Sequence, residues 1–186
     1  LQTGRFLLSP LLPTIITDLV ITEATAGIAL SIFGGAYALV QYPGGEYSDR
    51  WNRTTLIVPG LVVLAVGFTL FGLSTGLATF LVAATVVGVG KGLFAIPSRA
   101  LLSDLFTAKR GRALGIYAAG TDLGGLLSSG IAVLALTYAT WRTPFFPVAL
   151  ALAVITLVYA SQTREGYRVG STSLELRSTV GRLVQS

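Results

Sequence analysis

Three ionisable side chains, Arg5, Lys91 and Asp122, fall inside long apolar runs of this 186-residue chain. Charge in a bilayer is costly, so such residues face a cavity or a partner and mark ion or substrate pathways. Two bases turned to one cavity with a single carboxylate predict an anionic or carboxylate-bearing ligand. Asp122 has three states open to it: protonated, paired with one of the bases, or exposed to water. Protonated, it is the natural proton-coupling group; paired, it is structural. Arg5 and Lys91 retain a plainer reading, in which each snorkels its head to the inner interface. Tyr37 and Gln41, one helical turn apart, add polar contacts on another run or act only as packing glue. A second set of charges lies outside the apolar runs. Asp104 with Arg110 or Arg112, and Asp49 with Arg50 and Arg53, are candidate ion pairs. Exposed pairs contribute little stability alone, so their expected value is as a switch.

The elements that position these residues follow from composition. The chain is 53% hydrophobic and 11% charged, where soluble domains carry about 25% charge. Only a membrane class fits. No Cys and no His are present, which removes disulfides, thiolate metal sites and the commonest general base. A six-span serine protease needs a Ser-His pair and is excluded. A metal-dependent lipid transferase needs several Asp on one cytoplasmic helix face, and Asp49 and Asp104 are too scattered. The expectation is a non-enzyme without cofactor, and the net charge of +5 is read from its distribution, not as a nucleic-acid signal.

A span needs about 20 apolar residues. Six stretches qualify: Leu1 to Leu19, Ala26 to Gly45, Leu56 to Ser74, Leu77 to Pro97, Ala113 to Tyr138 and Pro144 to Ala160. No ten-residue alternation suggests a barrel strand. Lys and Arg fall on alternate loops: Arg50 and Arg53; Arg99, Lys109, Arg110 and Arg112; Arg164, Arg168, Arg177 and Arg182. The opposite loops hold only Arg142. This bias puts the basic loops, and both ends of the segment, in the cytoplasm. At the helical rise, Arg5 lies roughly 20 Å inward of Asp18, Lys91 about 21 Å inward of Leu77, and Asp122 about 13 Å outward of Ala113. All three then share a band just cytoplasmic of the midplane. The third and sixth stretches carry no charge.

Residues 1–161 are read as a transmembrane bundle and 162–186 as a cytoplasmic linker. In the linker, Leu176, Val180, Leu183 and Val184 suit a short amphipathic surface helix, and a disordered linker is the alternative. The chain starts inside an apolar run and holds no Met, so a fragment of a longer protein is expected.

Residues 44–55, GGEYSDRWNRTT, carry the most specific motif. Gly44 and Gly45 allow close helix approach, Asp49 suits a helix cap or a neighbouring helix N-terminus, and Asn52 tolerates a left-handed turn. Gly45-x-x-x-Asp49-Arg50-x-x-Arg53 resembles the loop between helices two and three of the major facilitator superfamily, G-x-x-x-D-R-x-G-R-R/K. Asn52 replaces the Gly and Thr54 the last basic residue. LLSPLLPTIITDL resembles that family's first helix, KRGRALG (109–115) its loop between helices four and five, and WRTPF (141–145) the start of its sixth, with Trp141 suited to the interfacial belt. The fourth helix lacks the family's frequent Arg. In the fifth, Thr121 replaces the Pro of the exporters' G-P-x-x-G-G, which counts against a drug-type antiporter.

The resemblance implies the N-terminal half of a twelve-helix secondary transporter working by alternating access in the plasma membrane. Helices one, two, four and five would line its pathway. Its partners would be the lipid bilayer, a small solute and a C-terminal six-helix half. A non-transporting six-helix scaffold or a homodimeric channel is the alternative.

Overall fold

The chain is all α-helical among the residues that the computed structural model describes, which are 3–50 and 53–162, with side chains for all of these except 3–6, 49 and 50. Six helices follow in order: α1 Thr3–Asp18, α2 Glu23–Arg50, α3 Arg53–Leu73, α4 Leu77–Leu105, α5 Arg110–Tyr138 and α6 Phe145–Gln162, with a 3-10 turn, Thr107–Lys109, before α5. Five of them are long and apolar enough to cross a membrane; α1 contributes a shorter apolar segment, Leu7–Asp18. Gln162, expected to open the linker, still belongs to α6; the rest of the linker and its amphipathic pattern lie outside the described residues, as does Asn52.

Helices α2, α4 and α5 run further than hydropathy indicates, and the boundary expectations need correction. At 28 and 29 residues each is roughly 42 Å long, against a hydrocarbon core of about 30 Å. The added turns lie almost wholly at the basic ends. Gly45, Asp49 and Arg50 are therefore on α2, and Arg53 opens α3, so the motif straddles a very short turn. Arg99 and Asp104 belong to α4, while Arg110 and Arg112 begin α5. Apolar runs end where charge begins, but a helix satisfies its own backbone groups on both sides of that boundary. Pro97 interrupts α4 without ending it and is buried. The helix stops at Phe106, whose amide donates to the Leu102 carbonyl at 3.2 Å.

Helix α4 is the centre of the packing, held between α2 and α3; α3 also packs on α6, and α1 on α5. Three glycines on one stretch of α4 make this possible. A Cβ at Gly88 would lie 2.6 Å from the Phe33 carbonyl oxygen, and one at Gly92 2.7 Å from Val40 Cβ, both on α2. A Cβ at Gly90 would stand 2.8 Å from the Leu64 amide nitrogen on α3. Small residues let membrane helices approach to backbone contact, where dispersion replaces the missing hydrophobic drive. Gly44 meets the Gly92 carbonyl at 3.4 Å on the same measure, whereas Gly45 faces only Ile96 at ordinary contact distance.

The end away from the basic turns is closed by aromatic rings. Phe71 sits 5.2 Å from Phe80 and 5.3 Å from Phe145, and Trp141 meets Phe80 and Phe145 edge-on at 6.3 and 6.2 Å. Trp141 is 2% exposed. It therefore packs in the protein core, where an exposed residue of the interfacial belt was expected.

Candidate functional site

Lys91 occupies the midpoint of α4, with equal lengths of helix on either side. Its ammonium lies 4.8 Å from the ring centroid of Tyr37 and 5.3 Å from that of Phe33. Both rings belong to α2, and Tyr37 lies at that helix's midpoint. The contact follows from Gly88 and Gly92, which flank Lys91 and bring the α2 backbone against α4. A cation over aromatic faces is worth about 2 kcal/mol when desolvated. This is a different arrangement from a side chain reaching for the interface. Gln41 is half-buried one turn further along α2 and makes no hydrogen bond with another described residue.

Asp122 lies near the middle of α5 and is exposed in this chain. It lines a groove of about 280 Å³ with Thr121, Tyr117, Ala118, Leu114 and, from α4, Arg99. The Arg99 guanidinium sits 5.9 Å from the Tyr117 ring centroid. Asp122 makes no ion pair with another described residue. The groove thus presents a carboxylate and a guanidinium facing the same space without neutralising each other. Arg99 was the residue that sequence reasoning missed here, having been placed in a loop; helical continuity through Pro97 was the available signal. The side chain of Arg5 lies outside the described residues, as do those of Asp49 and Arg50.

At the basic end, the expected pairing of Asp104 with Arg110 or Arg112 is not what the structure has. Asp104 instead accepts from Arg53 Nε at 3.3 Å, and Arg53 Nη1 donates to Ser48 Oγ at 2.8 Å. Ser48 is buried. One guanidinium thereby ties the end of α2, the start of α3 and the end of α4. Arg110 and Arg112 lie in the first turn of α5 and are exposed. The long helices cause the change: Asp104 on α4 points back toward α3, since the turn before α5 carries the later bases past it.

A second clamp, unforeseen from sequence, holds the opposite end. Arg142 Nη2 pairs with Asp18 Oδ2 at 2.7 Å, Trp141 Nε1 donates to the same oxygen at 3.1 Å, and Arg142 Nε donates to the Ser74 carbonyl at 2.7 Å. The arginine also lies 4.4 Å from the Trp141 ring centroid. This joins α1, the α3–α4 turn and the start of α6. The lone basic residue on the loops opposite the basic clusters was the clue.

These features define a class: a multi-pass helical membrane protein with ionisable groups at mid-helix and clamps at both ends. The family model described as Major Facilitator Superfamily matches residues 1–180. The chain belongs to that superfamily, a family of transporters and not of enzymes, and its helices correspond to the N-terminal half of the fold. It is 26% identical over 157 residues to a hexuronate transporter of Bacillus subtilis (strain 168), covering 84% of this chain and 36% of the relative. It is 28% identical over 161 residues to multidrug resistance protein 1 of the same organism, covering 86% and 41%. The chain therefore spans well under half the length of these relatives. A solved bacterial homologue of the human lysosomal transporter Spinster, inward-facing and unoccupied, superposes with a TM-score of 0.75 at 21% identity, over 95% of this chain and 43% of that one.

Proposed function

We propose that this chain is half of a secondary active transporter that moves a small anionic solute across the plasma membrane by alternating access. The single observation behind this reading is the mid-helix placement of Lys91 against Tyr37 and Phe33, with Asp122 and Arg99 facing one groove on the neighbouring helix pair. Intramembrane charges are retained at a cost and mark pathways, and two cations against one carboxylate favour an anion. The named substrate of the hexuronate transporter carries a carboxylate, in line with this. Against a drug-type substrate stands Thr121, where the exporter pattern has Pro.

In this reading Lys91 binds the anion, Tyr37 orients it, Arg5 and Gln41 complete the pathway lining, and Asp122 carries the coupling proton. Gly45, Asp49, Arg50 and Arg53 form the cytoplasmic hinge, with Asp104, Arg110 and Arg112 beside it. A C-terminal six-helix half supplies the other wall, residues 162–186 link the two, and both ends of the segment are cytoplasmic. Proteoliposomes of the full-length protein test this with a panel of carboxylates, sulfonates and sugar phosphates under an imposed proton gradient. Saturable anion uptake, abolished by Lys91→Gln and uncoupled by Asp122→Asn, is expected. Uptake confined to neutral or cationic solutes would overturn the proposal.

A further inference from the structure

Two apolar troughs remain open on either side of the basic end of α4. One, of about 360 Å³, is floored by Leu102, Phe106, Ala113 and Ile116 and bordered by Lys109 and Arg112. The other, of about 340 Å³, lies between α3, α4 and α6 against Leu101, Leu105 and Leu152, and shares Leu102 with the first. Neither shares a lining residue with the groove of Asp122. Leu105, Phe106 and Ile116 are 66, 49 and 65% exposed, a concentration of apolar surface that water would not leave uncovered without cost. Lys109 and Arg112 make no ion pair with another described residue, and Asp104, the nearest acid in sequence, is engaged by Arg53. Two unneutralised cations thus stand over a trough that can hold hydrocarbon.

We infer that this corner is a binding site for one anionic phospholipid of the cytoplasmic leaflet, its phosphate at Lys109 and Arg112 and its two chains in the troughs that meet at Leu102. The charge complementarity selects the occupant: the walls are apolar enough for any acyl chain, but only an anionic headgroup neutralises the rim. Basic side chains at a membrane surface gain about fivefold each in affinity for anionic lipid, roughly thirtyfold for the pair. The inference rests on the membrane reading and the cytoplasmic placement of the basic turns, and is independent of what is transported.

The test is native mass spectrometry of the full-length protein in mild detergent, mixed with equal phosphatidylglycerol and phosphatidylcholine of matched chains. Preferential retention of one phosphatidylglycerol is expected. The preference should fall about fivefold in Lys109→Gln and roughly thirtyfold when Arg112→Gln is added. Arg110→Gln, whose side chain lines neither trough, should keep it. Thermal unfolding in glycerol phosphate separates a lipid site from a soluble-phosphate site. Equal retention of both lipids, a preference unchanged in the Lys109→Gln single variant, or equal stabilisation by glycerol phosphate would overturn the assignment.

Discussion

Replacing Gly88 by Ala tests the packing that sets the Lys91 site. The added Cβ would stand 2.6 Å from the Phe33 carbonyl oxygen and 2.9 Å from Ala36 Cβ. Carbon–oxygen contacts settle near 3.3–3.6 Å, so α2 must retreat from α4 by roughly 0.7 Å. The obstacle is backbone, which no rotamer change relieves. Overpacking of this kind costs about 1–3 kcal/mol, while replacing a helical Gly returns up to about 1 kcal/mol. Gly35→Ala on α2 supplies the reference, because a Cβ there meets nothing within 4 Å. The difference between the two variants cancels propensity and leaves the packing cost of about 1–3 kcal/mol. Thermal unfolding of the purified full-length protein reads it, with Gly88→Ala melting lower. Transport should suffer more than stability, since misplacing a binding group by about 1 Å can cost on the order of a hundredfold. Equal melting of the two variants would refute the account of α2–α4 contact.

The remaining predictions concern the two clamps and one strained turn. Arg53→Ala and Asp104→Ala, combined in a double-mutant cycle, should show a coupling below about 1 kcal/mol, because the carboxylate side is 59% exposed; a turnover change exceeding the stability change is the expected sign of a gate. Trp141→Ala should destabilise by about 3–5 kcal/mol, since it empties a site packed by Phe80 and Phe145 and removes one of the two donors to Asp18, leaving Arg142; Trp141→Phe should recover most of the packing but not the hydrogen bond. Val20 has φ 53°, the one non-glycine residue with positive φ among those described, and is 91% exposed. Val20→Gly should raise unfolding stability by about 1–2 kcal/mol.

Charge and hydropathy alone made the helical class and the apolar segments legible, because a bilayer penalises any other arrangement of such a chain. Lys91 and Asp122 were visible for the same reason. Helix ends were not: Arg99 and Asp104 read as loop residues because charge stops an apolar run without stopping a helix. The true partner of Asp104 was hidden too, as Arg53 lies 51 residues away and meets it only once α3 and α4 pack. The role of Gly88, Gly90 and Gly92 in facing two different helices depends on a rotation of α4 that spacing suggests but packing decides. Trp141 read as a belt residue because its neighbours in sequence are polar, whereas its neighbours in space are phenylalanines.

The proposed transporter has a water-lined pathway that opens to each side of the membrane in turn, with Asp122 on its wall. Because this chain contributes no native thiol, the Asp122→Cys variant of the full-length protein, in a background without other cysteines, can be titrated in oriented membrane vesicles with an impermeant thiol reagent from each face. Labelling from both faces, with added transported solute changing the two rates in opposite directions, is the predicted result. No labelling from either face, or labelling from one face that solute never alters, would contradict it.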